Sequence, residues 1–176
     1  MSNERRFADD SEFALGETAG EHRIDTSDEA ADAALSLTRR ARRSLRIFTR
    51  DLDARLYSND AFRDAVSALA RQRPGTEIRI LVQDPTPAIR SNHRLISLTQ
   101  HLSSRIAVRR VASDWAHEPC AFLIADGRGL LWRGNGERYE GMVDFRAGSR
   151  AAELTKWFDH VWDNSAPDPE FRTLAL

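Results

Sequence analysis

The residues best suited to chemistry lie close together in the second half of the chain. His117 precedes an apolar run, Asp126 ends that run, and Asn135 follows a second apolar run. A histidine can act as a nucleophile or general base, and the carboxylate of Asp126 or Asp114 could orient its ring for hydrolysis. The alternative is structural. An Asp-Gly pair between apolar runs, here Asp126-Gly127, is typical of a hairpin turn, and His117 would then be a polar residue at a strand entrance.

The same segment resembles the signature of the phospholipase D superfamily, which is His-x-Lys, four residues, Asp, and a little later Gly-Ser-x-Asn. If Asp126 is aligned with the aspartate of the signature, Pro119 takes the histidine position and Ala121 the lysine position. If His117 is aligned instead, Pro119 takes the lysine position and Ile124 the aspartate position. His117 is thus two residues out of register, which keeps its strand face but moves it about 6–7 Å along the strand.

Neither alignment supplies the lysine of the signature. Phosphoryl transfer needs positive charge beside the nonbridging oxygens, and Arg133 could supply it if its side chain shares the face of His117. The Gly-Ser-x-Asn positions fall on Arg133-Gly134-Asn135-Gly136, so Arg133 and Asn135 are candidate ligand-binding residues. The resemblance implies a phospholipase D-like domain without the usual chemistry, in which His117 and Asp126 are the candidate catalytic residues.

The scaffold for these residues is predicted from the hydrophobic pattern. Thr26 begins a capping box, Asn59 can cap a second helix, and Thr86 followed by Pro87 begins a third helix that runs to about residue 102. Strands are predicted at residues 45–49, 77–82, 106–111, 120–125, 129–133 and 142–145. The last helix carries one wide apolar stripe. Its members are Leu154, Trp157, Phe158, Val161 and Trp162.

This order of elements predicts an α/β fold, in which a mixed β-sheet is flanked by helices. Over roughly residues 27–163 the order also resembles one half of a phospholipase D-type domain. We divide the chain into an acidic N-terminal segment at 1–24, a phospholipase D-like domain at 25–165 and a C-terminal tail at 166–176. The N-terminal segment is expected to be mobile, with an edge strand at 13–15.

Composition indicates a cytoplasmic protein of one domain. The one cysteine, Cys120, excludes an internal disulfide framework and fits a reducing cytosol. No apolar run is long enough to span a membrane, and no segment has the order of a signal peptide. One cysteine and five scattered histidines argue against a zinc site, and the glycine spacing does not suit a nucleotide loop. We therefore expect neither metal nor cofactor.

Charge is balanced overall but unevenly distributed. Residues 1–32 hold ten acidic side chains and three arginines, a net charge of −7, which leaves +6 for the rest. Lys156 is the only lysine, and the planar fork of arginine suits phosphate, although a base-biased gene would give the same composition. One basic segment could contact nucleic-acid phosphates, or could compensate a helix dipole at the surface. It comprises Arg39, Arg40, Arg42, Arg43, Arg46 and Arg50.

Three further residues are candidates for ligand binding. Asp51 and Asp84 follow neighbouring strands of parallel type, and the carboxyl ends of such strands gather binding sites. Turn and cap chemistry is the simpler explanation of both. His93 lies in line with Ile89 and Ile96 on the predicted third helix, a position where a packed histidine is more common than a catalytic one.

Four functional hypotheses follow, in order of preference. The first is a non-catalytic phospholipase D-like module that binds a phosphorylated ligand or nucleic acid. The second, nearly equal to the first, is an interaction module for a protein partner, for example an acetyltransferase, beside which small bacterial proteins that resemble this chain sometimes occur. The third is a weak phosphodiesterase using His117, which would need a homodimer because the family builds one site from two motif copies. The fourth is a different hydrolase in which Asp126 or Asp114 orients His117.

Overall fold

A mixed β-sheet forms the centre of the protein in a computed structural model that describes residues 6–9 and 11–173. Its strands are β1 (His22–Ile24), β2 (Ser44–Thr49), β3 (Glu77–Val82), β4 (Ile106–Arg110), β5 (Ala121–Ala125), β6 (Gly129–Arg133), β7 (Gly141–Asp144) and β8 (Ala166–Pro167). Their order across the sheet is β1-β7-β6-β5-β2-β3-β4-β8. β2, β3 and β4 are parallel, whereas all other neighbours are antiparallel. The α/β fold with a mixed sheet is confirmed.

The two ends of this sheet have different roles below. We call the end where β2 and β3 finish the carboxyl end, and the end where they begin the amino end. β5 runs antiparallel to β2, with Leu45 opposite Ala125 and Phe48 opposite Phe122. Consequently β5 begins at the carboxyl end, and the turn from β5 to β6 lies at the amino end.

Helices cover both faces of the sheet. They are α1 (Ser27–Arg40), α2 (Ala54–Tyr57), α3 (Asp60–Gln72), α4 (Thr86–Arg90), α5 (Arg94–His101), α6 (Gly148–Asp163) and α7 (Glu170–Thr173). On one face, Leu37 of α1 and Phe62 of α3 share a core with Ile47 of β2. On the other face, Phe158 of α6 packs in a second core with Phe48 of β2. The sheet therefore separates two cores.

Local sequence signals account for the element boundaries. Thr26 and Glu29 form the predicted capping box of α1, and the side chain of Asn59 accepts a hydrogen bond from the first turn of α3. The hairpin between β5 and β6 is confirmed. Asp126 and Gly127 have φ angles of 54° and 65°, the positive values that a two-residue hairpin turn requires and that an Asp-Gly pair tolerates.

The apolar stripe of α6 packs against the sheet, as the sequence predicts. Phe158 and Val161 are fully buried and Trp162 nearly so. Trp157 is only half-buried, and its ring meets those of Phe48 and Phe122 edge-on at 5.0 and 5.9 Å. One helix thus covers this face of the sheet, and the side chains at the edge of its apolar stripe stay partly exposed.

Several elements differ from the prediction, and the sequence predicts neither β8 nor α7 in the C-terminal tail. The short helix α2 was not foreseen, because four residues carry no periodic pattern. The expected third helix is divided into α4 and α5, since Asn92 has a φ of 52° that no helix continues through. The edge strand on this side is β1 rather than residues 13–15.

The described part of the N-terminal segment packs against α1. Phe7 is fully buried, and the carboxylate of Asp32 accepts hydrogen bonds from the backbone N–H groups of Phe7 and Ala8 at 2.6 and 3.0 Å. In the C-terminal tail, Phe171 is also buried in the core. The division of the chain at 24 and 165 stays a prediction. Within the described residues, every helix is too short or too polar to cross a membrane.

Candidate functional site

Three of the residues singled out from the sequence meet at the carboxyl end of the sheet. Asp84, His117 and Asn135 line one cavity of about 360 Å³, together with Arg50. Asp84 follows β3, His117 lies in the loop before β5, and Asn135 follows β6. The fold thus gathers at one place residues from three separate segments.

The walls of this cavity carry more negative than positive charge. Asp84, Glu118 and Glu137 contribute carboxylates, and the guanidinium of Arg50 lies 2.7 Å from the carboxylate of Glu137. The side chain of Asn135 is engaged by the backbone, since it accepts a hydrogen bond from the N–H of Glu137 at 2.9 Å. This charge distribution opposes a phosphate group, which needs cationic partners.

Arg133 does not supply the missing cation to this cavity. It lies opposite Ala121, so both side chains are on the same face of the sheet, and the arginine fills the space beside the lysine position. Arg133 is only 1% exposed, however, and its Nη1 donates to the carbonyl oxygens of Arg138 at 2.8 Å and Gly136 at 3.4 Å. Its guanidinium therefore holds the loop after β6 instead of lining the cavity.

A polar cluster that the sequence did not reveal surrounds Arg133. The hydroxyl of Tyr139 donates to the carboxylate of Asp53 at 2.8 Å, and the Arg133 guanidinium lies 5.9 Å from the Tyr139 ring centre. Burial raises the pKa of Tyr57, and Arg133 partly offsets this. The pKa of Asp51 is also raised, first by burial and then by the charge of Asp53. The residues come from the loop after β2, from α2, from the end of β6 and from the loop after β6, so no sequence pattern joins them.

The conformation of the loop after β2 belongs to the same cluster. Leu52 is buried with a φ of 58°, an uncommon left-handed value for a branched residue. Its N–H donates to the hydroxyl of Thr49 at 3.2 Å, which helps to hold this geometry. Strained backbone of this kind often accompanies functional sites, and here it lies between Asp51 and Asp53 of the cluster.

His93 is a buried helix cap. It is 1% exposed, and its Nδ1 accepts the backbone N–H of Leu95 at 3.1 Å, which caps α5. Burial lowers the pKa of His93 to about 4, an effect that the backbone of Leu52 partly offsets. The ring is therefore neutral near pH 7. It does not line the cavity of His117, which fits the packed alternative rather than the catalytic one.

Asp126 lies at the opposite end of the sheet from His117. Its carboxylate accepts the backbone N–H groups of Arg42, Arg43 and Ser44 at 2.9, 2.8 and 3.0 Å. The five residues of β5 separate it from the carboxyl end by about 17 Å. The structure thus does not bring His117 and Asp126 together as a catalytic pair, and we propose no catalytic role for Asp126. Its carboxylate joins the hairpin turn to the start of β2.

The basic segment between residues 39 and 50 does not form one surface. Arg50 lies at the carboxyl end beside Glu137, whereas Arg46 points to the α6 face and bonds Asp159 at 2.9 Å. Arg40 turns inward and donates to the carbonyl of Phe13. Only part of the segment is therefore available to one ligand.

Arginines from other elements join the rest of this segment at the amino end. Arg42 and Arg43 are exposed around the Asp126 carboxylate, and Arg128 is exposed in the same turn. Arg105 precedes β4 and donates to the backbone carbonyl of Arg73 at 3.0 Å. We call this set the arginine surface. It comprises Arg39, Arg42, Arg43, Arg73, Arg105 and Arg128.

No local sequence pattern predicts the arginine surface, because its members are far apart along the chain. The one shared signal is position, since most stand next to the start of a strand or in a turn between strands. Within residues 6–9 and 11–173, no ion pair involves Arg42, Arg43, Arg73 or Arg128. The same part of the chain holds no group of three His, Cys, Asp or Glu residues placed to bind a metal.

Comparison with solved structures defines the class of fold as phospholipase D-like. The phospholipase D family member Nuc from Salmonella typhimurium superposes with a TM-score of 0.61 at 12% identity, over 85% of this chain and 99% of Nuc. NucT from Helicobacter pylori gives 0.56 at 10% identity, over 85% and 99%. The archaeal chromatin protein TrmBL2 gives 0.62 at 12% identity over 84% of this chain, which spans about half (54%) of TrmBL2.

Residues 26–174 match the profile of a family described as Domain of unknown function (DUF7931), and the chain belongs to that family. A search of curated proteins finds no significant match to the sequence. At 10–12% identity the likeness to the solved structures shows the fold alone.

Proposed function

We propose that this protein is a non-catalytic phospholipase D-like domain that binds nucleic acid through the arginine surface. The observation that carries the proposal is the arginine surface at the amino end of the sheet, in which every member except the half-buried Arg105 is exposed. The carboxylate of Asp126, which lies beside Arg42 and Arg43, accepts hydrogen bonds from three backbone N–H groups and is not paired with their guanidinium groups. The charge of the side chains around it is therefore available to an external anion.

The dimensions of the arginine surface suit a nucleic-acid backbone. Apart from Arg39 of α1, its members lie at the amino end of the sheet along β6, β5, β2, β3 and β4, which are consecutive neighbours. Four inter-strand spacings of about 4.8 Å give a row about 19 Å long. Such a row can follow several consecutive phosphates of one strand, and it would contact the backbone rather than base edges. We therefore propose binding with little sequence preference.

A structural neighbour supports the proposal by analogy. TrmBL2 is an archaeal chromatin protein whose structure shows a novel mode of DNA binding. The resemblance is one of fold, so the comparison suggests nucleic acid as the first ligand to test rather than a particular contact.

Catalysis is not part of the proposal, because the inherited site lacks its cation. The two candidate lysine positions hold Pro119 and Ala121, and Arg133 is committed to backbone carbonyls. The three carboxylates around the cavity of His117 add charge of the wrong sign. The homodimeric phosphodiesterase and the partner module for an enzyme such as an acetyltransferase stay alternative predictions from the sequence.

Binding to duplex DNA is expected to weaken steeply with salt. Each phosphate contact contributes about −0.9 to the slope of log K against log salt, so three or four contacts give a slope of roughly −3 to −4. The double variant Arg42→Ala, Arg43→Ala should lose about tenfold in affinity at low salt and make the slope shallower by about two. Fluorescence anisotropy with a labelled duplex of about 20 base pairs measures both quantities.

A matched control removes the same charge from the other end of the molecule. Arg55 and Arg90 are exposed residues of α2 and α4, which follow the carboxyl ends of β2 and β3. The double variant Arg55→Ala, Arg90→Ala should bind nearly as the parent does. Equal losses of affinity in both double variants would show that net charge alone causes the effect. No binding at low salt would contradict the proposed function.

Phosphodiesterase activity is expected to be absent on bis(p-nitrophenyl) phosphate and on single-stranded DNA. The physical reason is the lack of a cation to stabilise charge on the transferring phosphoryl group. Release of nitrophenol and DNA cleavage should both stay at the level of the buffer blank. His117→Ala is the control. Turnover by the parent protein that disappears in this variant would establish catalysis at the cavity of His117.

A further inference from the structure

We infer that the acidic N-terminal segment lies against the arginine surface and competes with nucleic acid for it. This inference rests on the proposed function and concerns how strongly the same surface binds. We call residues 6–9 and 11–17 the acidic strap. Apolar side chains fix the strap in place, and its carboxylates stand beside the arginines.

Apolar contacts fix the strap independently of charge. Phe7 is fully buried, and its ring meets that of Phe13 edge-on with centroids 5.3 Å apart. The ring of Phe13 stacks on that of Phe145 at 4.9 Å. The N–H of Gly16 donates to the carbonyl of Phe145 at 2.7 Å. These contacts hold the strap beside the amino end, since Phe145 directly follows β7.

The fit of the strap against the hairpin is close. The side chain of Leu15 packs over Gly129, the first residue of β6, where an added Cβ would meet Leu15 Cδ1 at 2.5 Å. The side chain of Arg128 runs under Gly16, with its Cδ 3.0 Å from the position of a Cβ there. A larger residue at Gly129 would push Leu15 away. The strap thus lies directly on the turn that carries part of the arginine surface.

Carboxylates of the strap stand next to the arginines. Asp9 lies 3.7 Å from the guanidinium of Arg39. Glu17 lines a cavity of about 630 Å³ whose cationic walls come from the arginine surface and from Arg40. Those walls are formed by Arg39, Arg40, Arg42 and Arg128.

The strap should weaken binding rather than abolish it. Exposed ion pairs are individually weak, but charges within a Debye length of about 8–10 Å lower the potential that a phosphate meets. A DNA backbone that approaches Arg39 and Arg42 must displace Asp9 and Glu17 or share the arginines with them.

Neutralising the strap tests the inference without disturbing the core. Removing the segment is unsuitable, because it would also remove the buried Phe7. The double variant Asp9→Asn, Glu17→Gln should bind the labelled duplex about five- to tenfold more tightly than the parent at low salt, and the gain should fall below about twofold near 0.3 M salt. The matched control Glu140→Gln, Glu153→Gln removes two exposed carboxylates outside the strap.

Coupling to the arginines separates competition from a general charge effect. In the background Arg42→Ala, Arg128→Ala the gain from neutralising the strap should shrink to less than half, because part of the contested surface is gone. Equal gains in affinity in the strap variant and in the control, or no gain in either, would overturn the inference. The proposed function would still stand if binding depended on salt and on Arg42 and Arg43. Absence of binding in every variant would overturn both.

Discussion

Replacing Arg133 with methionine is expected to lower the free energy of unfolding by about 3–5 kcal/mol. Methionine keeps much of the length of the side chain but cannot donate hydrogen bonds. The carbonyl oxygens of Gly136 and Arg138 would lose their donor, and the buried groups near Asp53 and Tyr57 would lose their cation. Urea denaturation should show a lower midpoint with an unchanged slope, as expected when stability alone changes.

Arg138→Met is the matched control for this substitution. Arg138 is exposed in the same loop, so loss of its side chain should change stability by no more than about 0.5 kcal/mol. If Arg133→Met costs less than about 1 kcal/mol, the guanidinium is not needed by the loop. That result would support the role expected from the sequence, in which Arg133 is a cation available to a phosphate.

Stability is expected to fall by about 3 kcal/mol between about pH 7.5 and pH 4 through His93 alone. The folded protein holds this ring neutral, with a pKa of about 4, whereas the unfolded chain protonates it near 6.5. Between these values the unfolded state binds the additional proton, so acid favours unfolding. The contribution is complete above pH 6.5 and is lost progressively as the pH falls to about 4.

His93→Asn isolates this contribution, because asparagine can still cap α5 but does not titrate. The variant should be less stable at neutral pH, since it loses buried volume, and its difference from the parent should narrow as the pH falls. His101→Asn removes an exposed histidine from the same helix and should follow the parent at every pH. Parallel curves for the parent and His93→Asn would show that His93 is solvated in the folded state.

Arg133 and His93 both have structural roles at the carboxyl end of the sheet. In the cluster at the carboxyl end, Arg133 is held by the loop and His93 by the helix that it caps. Both side chains therefore contribute to the fold and do not line the cavity of His117. The proposed binding surface is accordingly at the other end of the sheet.

Local sequence patterns predict most of the longer helices and strands. Period-two and helical patterns placed β3 and β6 at their observed bounds, and Thr26, Asn59 and the Asp126-Gly127 turn marked boundaries through local hydrogen bonding and backbone conformation. These signals depend on neighbours a few residues apart, which the sequence displays directly. The α/β class and the phospholipase D-like order follow from them.

Which polar groups lie close together follows from the tertiary structure and not from any local pattern. Asp126 and His117 are nine residues apart in sequence but lie at opposite ends of β5, whereas Asp84 and Asn135 share a cavity with His117 across the sheet. Arg73, Arg105 and Arg128 join Arg42 and Arg43 because β-strand pairing aligns the amino ends of neighbouring strands. Whether an arginine serves a ligand or a carbonyl depends on burial and on contacts between distant segments, and no local pattern carries that information.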